Sequence, residues 1–423
     1  MNIAIKTTVA FLIVAGFLFP FSVAATNIAL GVVLALGLVS GFWWKGARLC
    51  WKHYTVLTII FCVYMALLLL GLLWSLDLEW GLHVLGRHWF WLLIPIVVAL
   101  LKEEKWRKVF LVSLSSGLAL NLVYCVLQMY EFVEVTTDGS SADDATGHIG
   151  HIGFGLVYSI WAAWLLHLGL IWTERKRWLA WGLAAWSYIM VFSAQGRSGY
   201  LIAVALMLCV LIKWLFDSKN WRIVLPIAAG FILIVLVVVM GPGKERLQGT
   251  WLAFTQIEQQ EDLNWRDSSD NAILATQSRF QMWQTSIDIW QEHPLLGVGT
   301  GGLPQAVVDL NKQYQVSEST ITTQTFAHPH NQYLLNLIRW GPLGLLLLLV
   351  LLAVWMREGI KSDWRYSFTA PLFTLSGLAL TLHALSSSSM EEHFSAILAA
   401  LLLAVAMSAD SNKSVHTGGN HDI

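Results

Sequence analysis

Residues 328–355 read HPHNQYLLNLIRWGPLGLLLLLVLLAVW: a polar turn, His328-Pro329-His330-Asn331, that runs directly into an apolar stretch from Leu334 to Trp355. Such a stretch is long enough to cross the ~30 Å of hydrocarbon in a bilayer. The turn closes the one long polar excursion, Gly241 to Tyr333, in a chain that is otherwise mostly apolar. Its imidazoles therefore stand at the lip of a membrane helix, where chemistry can meet a lipid-borne substrate.

The rest of the chain repeats the apolar pattern. Over 423 residues, 56% are hydrophobic, only 13% are charged and 23 are Trp, far more apolar surface than a soluble core needs. A net charge of -1 gives no reason to expect nucleic acid as a partner. Apolar runs of spanning length number about twelve. They lie near residues 8–25, 27–44, 54–74, 88–101, 109–130, 152–172, 178–193, 198–216, 222–240, 334–355, 366–385 and 394–408. Lys6 and Val23-Ala24-Ala25 give the first run some likeness to a cleaved signal, but a second span follows at once and favours a retained helix. Cys50, Cys62, Cys125 and Cys209 lie in or beside apolar runs and read as buried, reduced thiols.

The fold expected is thus an all-α polytopic membrane protein. Residues 1–240 hold spans one to nine, 241–333 a loop domain, 334–408 spans ten to twelve, and 409–423 a polar tail. Orientation follows from the short loops, because Lys and Arg are retained on the cytoplasmic side. Lys45, Arg48 and Lys52, then Lys102, Lys105, Arg107 and Lys108, then Arg175-Lys176-Arg177 follow alternate spans, as do Lys213, Lys219, Arg222, Arg357, Lys361 and Arg365. With Lys6 and Lys413 they are most of the 26 basic residues, so both termini are predicted cytoplasmic and the 241–333 loop periplasmic.

Within that loop Phe280, Trp283, Ile287 and Trp290 recur at helical spacing, which predicts an amphipathic helix lying at the interface or over the membrane domain. Leu247, Trp251, Phe254 and Ile257 suggest a second one. Pro294 stops the first helix, and Gly297-Val298-Gly299-Thr300-Gly301-Gly302 allows a tight turn after it. No strand precedes those glycines, so they are not a dinucleotide fingerprint.

Charge is scarce enough for outward-facing basic residues to be conspicuous. Arg197, in Gln195-Gly196-Arg197-Ser198-Gly199, occupies a short turn at membrane level, and such a cation is usually compensated by an anion or a carboxylate. Arg279 opens the loop helix, and His330 sits just before span ten with His328 and Asn331 beside it. Arg87, next to His88, is a further candidate phosphate contact, and Glu391 and Glu392 face outward, where they could orient a base or pair with an arginine. Arg339 lies about half a turn round from His330 and reads as an internal pairing residue. Asp143, Asp144, His148 and His151 match no metal-ligand spacing, so no metal and no cofactor is expected.

His330-Asn331, nine residues, Gly341, two residues and Gly344 resemble the H-[NSQ]-x9-G-x-x-G signature of bacterial O-antigen ligases. Ser278-Arg279 through Trp283 to His293-Pro294-Leu295-Leu296-Gly297-Val298-Gly299 is similar to the arginine-to-glycine stretch of the wider ligase and polymerase superfamily, and Arg197 falls where that superfamily has its first arginine. Leu345 departs from the Thr or Val that many ligases carry there. The resemblance implies a GT-C-like glycosyltransferase of the bacterial inner membrane. Such an enzyme transfers polysaccharide from undecaprenyl diphosphate to a sugar hydroxyl of lipid A-core on the periplasmic face, with inversion and without a metal. It implies His330 as catalytic base, Arg197 and Arg279 as ligands of the donor diphosphate, and Arg87, His328, Asn331 and Glu391 in support. An O-antigen polymerase using the same donor is the nearest alternative. A protein O-oligosaccharyltransferase and a transporter of lipid-linked glycans are more distant ones.

Overall fold

The computed structural model describes residues 3–135, 144–194, 196–218, 222, 225–230, 232, 271–313 and 326–410. Among them the secondary structure is entirely helical: α1 Ile3–Leu18, α2 Val23–Val39, α3 Phe42–His53, α4 Thr55–Leu70, α5 Leu78–Gly86, a 3-10 turn Trp89–Leu92 leading into α6 Leu93–Leu100, α7 Glu104–Met129, α8 His151–Ile171, α9 Glu174–Ser193, α10 Arg197–Ser218, α11 Asn271–Glu292, α12 Leu303–Gln313, α13 Gln332–Ile360, α14 Ala370–His383 and α15 His393–Asp410. Helices coincide with every expected span except the ninth, which falls largely outside the described residues, as do Leu247 to Ile257 and the polar tail.

Length sorts these helices. Among the described residues α7, α8, α10 and α13 are long and apolar enough to cross a membrane, and the number is six if α2 with α3 and α5 with the 89–100 segment each count as one bent span. The apolar helices α1, α4, α14 and α15 are shorter. The protein is a polytopic membrane protein by length and composition.

Two helices lie where the sequence suggested loops. Ser40 and Gly41 end α2, and Gly41, with φ of 72°, lets the chain bend by 85° into α3. Helix α3 carries Lys45, Arg48 and Lys52 together with the exposed Trp44 and Trp51, the makeup of an interfacial helix. Gly46 lets it lie on α6, since a Cβ there would meet the Pro95 carbonyl at 1.6 Å. Asp77 starts α5 by accepting the Trp80 N–H at 2.8 Å. Of the four thiols Cys50 and Cys125 are buried and Cys209 is intermediate. Cys62, expected buried, is exposed on the outward face of α4.

The bundle is organised around α8, which is apolar all round and buried along nearly its whole length. It packs on α9, α10 and α14. Gly155 of α8 faces Gly199 of α10 so closely that a Cβ on the first would lie 2.6 Å from the Cα of the second. That approach places the first turn of α10, including Arg197, beside the start of α8. A separate small core of Ile289, Val298, Leu303, Ala306, Val307, Leu310, Leu335 and Ile338 fastens α11 and α12 to the first turns of α13. Helix α11 forms where Phe280 to Trp290 predicted it, but Ile289 is its buried anchor while Phe280 and Ile287 are exposed.

Span ten is not one straight helix. At Trp340 (φ -135°, ψ 17°) and Gly341 (φ 64°, ψ -162°) the backbone leaves the helical region, which divides α13 into two parts. Pro342, next in the chain, has no N–H to give the Ile338 carbonyl four residues back. The glycine run supplies what the break removes: Val298 N–H donates to the Ile338 carbonyl and Gly299 N–H to the Arg339 carbonyl, both at 2.9 Å. Gly341 faces the Leu295 carbonyl, which a Cβ would approach to 2.0 Å.

Candidate functional site

The turn before α13 is held from several directions. Asn331 is the N-cap of the helix, its Oδ1 accepting the N–H groups of Tyr333 at 3.0 Å and Leu334 at 3.1 Å. Gln332 donates its N–H to the Ala384 carbonyl at 2.8 Å and accepts the Met390 N–H at 3.0 Å. The Trp283 indole N–H of α11 donates to the Pro329 carbonyl at 2.9 Å. His330 sits in the left-handed region, φ 49°, a conformation that costs a non-glycine residue about 1–3 kcal/mol and persists only where its surroundings enforce it.

His330 and His328 meet edge to face, ring centroids 4.5 Å apart. The Nδ1 of each ring is buried and has no hydrogen-bond partner among the described residues. Burial, then the neighbouring charges of His328 and Arg279, pull the His330 imidazole down to about 4, so at neutral pH it is an unprotonated base.

The two arginines singled out in the sequence come from different elements and lie within electrostatic reach of one another. Arg279 comes from the first half of α11 and Arg197 is the first residue of α10. Burial most of all, and then the charge of Arg197, weakens the hold of the Arg279 guanidinium on its proton, while Glu392 acts the other way. Two cations that repel one another in a half-buried setting make a site suited to an anion, and guanidinium is matched to phosphate oxygens.

A second charged group lies behind the turn. Arg339 donates from Nη1 and Nη2 to the two carboxylate oxygens of Glu391 at 2.9 and 3.3 Å, with both side chains buried. Burial alone would raise the Glu391 carboxyl, but Arg339, with His88 and His328, outweighs it and holds the group below the usual carboxylate range. Arg87 is exposed at the end of α5, next to the buried His88 of this group.

Arg279 thus lies within electrostatic reach of both Arg197 and His330, His328 packs on His330, Arg339 pairs with Glu391, and Asn331 caps the helix. His293 is exposed at the far end of α11. Asp144 pairs with His151 at 3.6 Å and His148 stacks on Tyr124, while Asp143 lies outside the described residues. Two participants had no individual assignment from the sequence. Trp283 reads there only as an apolar-face residue, and Glu392 as one of a pair. The run Ser386-Ser387-Ser388-Ser389 just ahead of Glu391-Glu392 was the available signal, since hydroxyls clustered at a helix start hold carboxylates.

Residues 182–349 match the family model described as O-Antigen ligase. Over that segment the chain is similar to O-antigen ligases. A search of curated proteins finds no match. The matched segment runs from α9 to the middle of α13 and contains Arg197, Arg279, Trp283, His328 and His330. Arg87, Glu391 and Glu392 lie outside it. The O-antigen ligase family comprises membrane glycosyltransferase-like enzymes, ligases and polymerases, that act on lipid-linked polysaccharide.

Proposed function

We propose that this protein is an O-antigen ligase that moves polysaccharide from undecaprenyl diphosphate to a sugar hydroxyl of lipid A-core, on the periplasmic face of the inner membrane. The observation that carries this reading is the meeting of Arg197, Arg279 and an unprotonated His330 at the end of a membrane helix. In the same proposal the chain has twelve spans in a GT-C-like arrangement, with both termini cytoplasmic and residues 241–333 periplasmic.

The chemistry divides between the two groups. Arg197 and Arg279 bind the donor diphosphate and stabilise the charge that builds on it as the bond from the anomeric carbon to phosphate oxygen breaks. His330 takes the proton of the acceptor hydroxyl as its oxygen attacks that carbon from the opposite side, which inverts the configuration. His328 packs the base, Asn331 caps the helix that carries it, and Glu391 holds Arg339 beneath it. In this reading the exposed Arg87 is a further phosphate contact.

Reconstitution in liposomes with a purified polyprenyl diphosphate glycan and rough lipopolysaccharide tests the reading. Glycan on lipopolysaccharide is the expected product. Growth of the lipid-linked glycan instead identifies a polymerase, and translocation without a new bond identifies a transporter.

A further inference from the structure

Helix α3 presents three different faces. Phe42, Gly46 and Cys50, at intervals of four, are buried, and Gly46 brings that row onto Pro95 of α6. At about 100° per residue, Trp44 and Trp51 stand on the side away from the buried row. Both indoles are exposed, at 64% and 55%. Lys45, Arg48 and Lys52 lie between the indoles and Phe42, within about 60° of one another around the axis, and all three are exposed.

These cations differ from the other basic residues at the ends of helices. Lys108 pairs with Glu104, Lys213 with Asp217, Lys361 with Glu358 and Arg365 with Asp363. Helix α3 contains no Asp or Glu, and among the described residues none of its three cations makes an ion pair. Lys45 stands over the ring of Phe42, 5.2 Å from its centroid, which leaves its ammonium free to meet an anion as well. The 85° bend after α2 turns this single-sign surface across the direction of the preceding span.

We propose that the exposed side of α3 binds the headgroups of anionic phospholipids in the leaflet it borders, the cytoplasmic one in the orientation proposed above. Trp44 and Trp51 enter the boundary between headgroups and acyl chains, and Lys45, Arg48 and Lys52 meet the headgroup phosphates beside them. The two indoles decide for a lipid over a soluble anion: a free phosphate would satisfy the cations and leave both rings in water. Bound lipid holds α3 against α6 where Gly46 meets Pro95, so it stabilises the folded chain. This binding is independent of the transfer chemistry.

The test follows thermal unfolding of the full chain in detergent as phosphatidylglycerol or phosphatidylcholine is titrated in, at low and at high salt. Phosphatidylglycerol is expected to raise the unfolding midpoint at lower concentration than phosphatidylcholine, and salt to narrow the difference. Lys45→Gln, Arg48→Gln and Lys52→Gln are each expected to raise the half-saturating phosphatidylglycerol concentration about fivefold, and the triple variant on the order of a hundredfold. Arg175→Gln with Lys176→Gln, which neutralises two exposed cations of α9, is expected to leave it near the wild-type value. Equal protection of the wild type by the two lipids overturns the proposal, as does a wild-type response in the triple variant or an equal loss in the α9 variant. Should the triple variant fail to fold, wild-type responses in all three single variants overturn it. Stabilisation by inorganic phosphate or polyglutamate, at the anion concentration at which the lipid acts, overturns it in favour of a soluble anion or an acidic protein segment.

Discussion

The indole N–H of Trp283 donates to the carbonyl of Pro329 at 2.9 Å and so ties α11 to the turn that carries His330. Trp283 lies one helical turn beyond Arg279, so this bond helps to set the distance between Arg279 and His330. Trp283→Phe keeps much of the ring packing and removes the donor. Transfer activity is expected to fall by about tenfold to a hundredfold, because misplacement of a catalytic group by ~1 Å costs that much. Thermal unfolding in detergent, which should change little, separates this from misfolding.

Gly341 is the residue at which α13 breaks, and two features forbid a side chain there: its φ of 64° and the Leu295 carbonyl 2.0 Å from where a Cβ would sit. Gly341→Ala is expected to cost more than the ~1–2 kcal/mol of the left-handed conformation alone, because the glycine run must also move. A large drop in unfolding temperature or in membrane abundance checks it. Pro342→Ala restores an N–H that competes with Val298 for the Ile338 carbonyl, and its effect should be the smaller of the two.

Arg339 and Glu391 form a buried pair 52 residues apart in the chain. Removing one partner leaves a buried charge without compensation, a loss of about 3–5 kcal/mol in comparable pairs. Arg339→Met is therefore expected to destabilise strongly, and Arg339→Met with Glu391→Gln less so than the first substitution alone. Unfolding midpoints of the two variants measure the difference.

The pH dependence has a definite sign. In the proposed transfer His330 acts unprotonated, so activity is expected above its pKa and is lost as pH falls through it. For free protein that places the acid limb of kcat/KM near 4, the value set by burial, His328 and Arg279. A bound diphosphate adds negative charge beside the ring, so the limb in kcat should lie at higher pH than the limb in kcat/KM. Arg279→Gln removes one of the depressing charges and should also raise the limb in kcat/KM, by less than the full displacement because burial is the larger cause. Rate profiles of both proteins over the acid range test this, and a limb that moves down in Arg279→Gln would contradict it.

Much of the site was legible in residue types and spacing. A histidine at the lip of an apolar run, an arginine in a very short turn and another opening an amphipathic helix each stand out against a membrane chain with few charges. Arg339 was legible as an internal pairing residue, and Glu391 as a candidate to pair with an arginine. The interfacial helix α3 was not, since its alternation of Trp with Lys and Arg looks, residue by residue, like a basic loop. The break in α13 was also hidden. Gly341-Pro342 inside an apolar run is compatible with a straight, tilted or kinked helix until something accepts the freed hydrogen bonds.

Hydropathy is a local property that sums along the chain, so the sequence by itself determined that this protein is helical and membrane-spanning, and which uncommon residues lie at the ends of its spans. Proximity is not local. Only the tertiary structure decided that the glycine run satisfies the carbonyls freed at Pro342, that Arg339 meets Glu391, and that Arg279 comes within electrostatic reach of Arg197 and His330. Each of these depends on distance and burial, and those arise from packing between segments far apart in the chain, which no stretch of sequence contains.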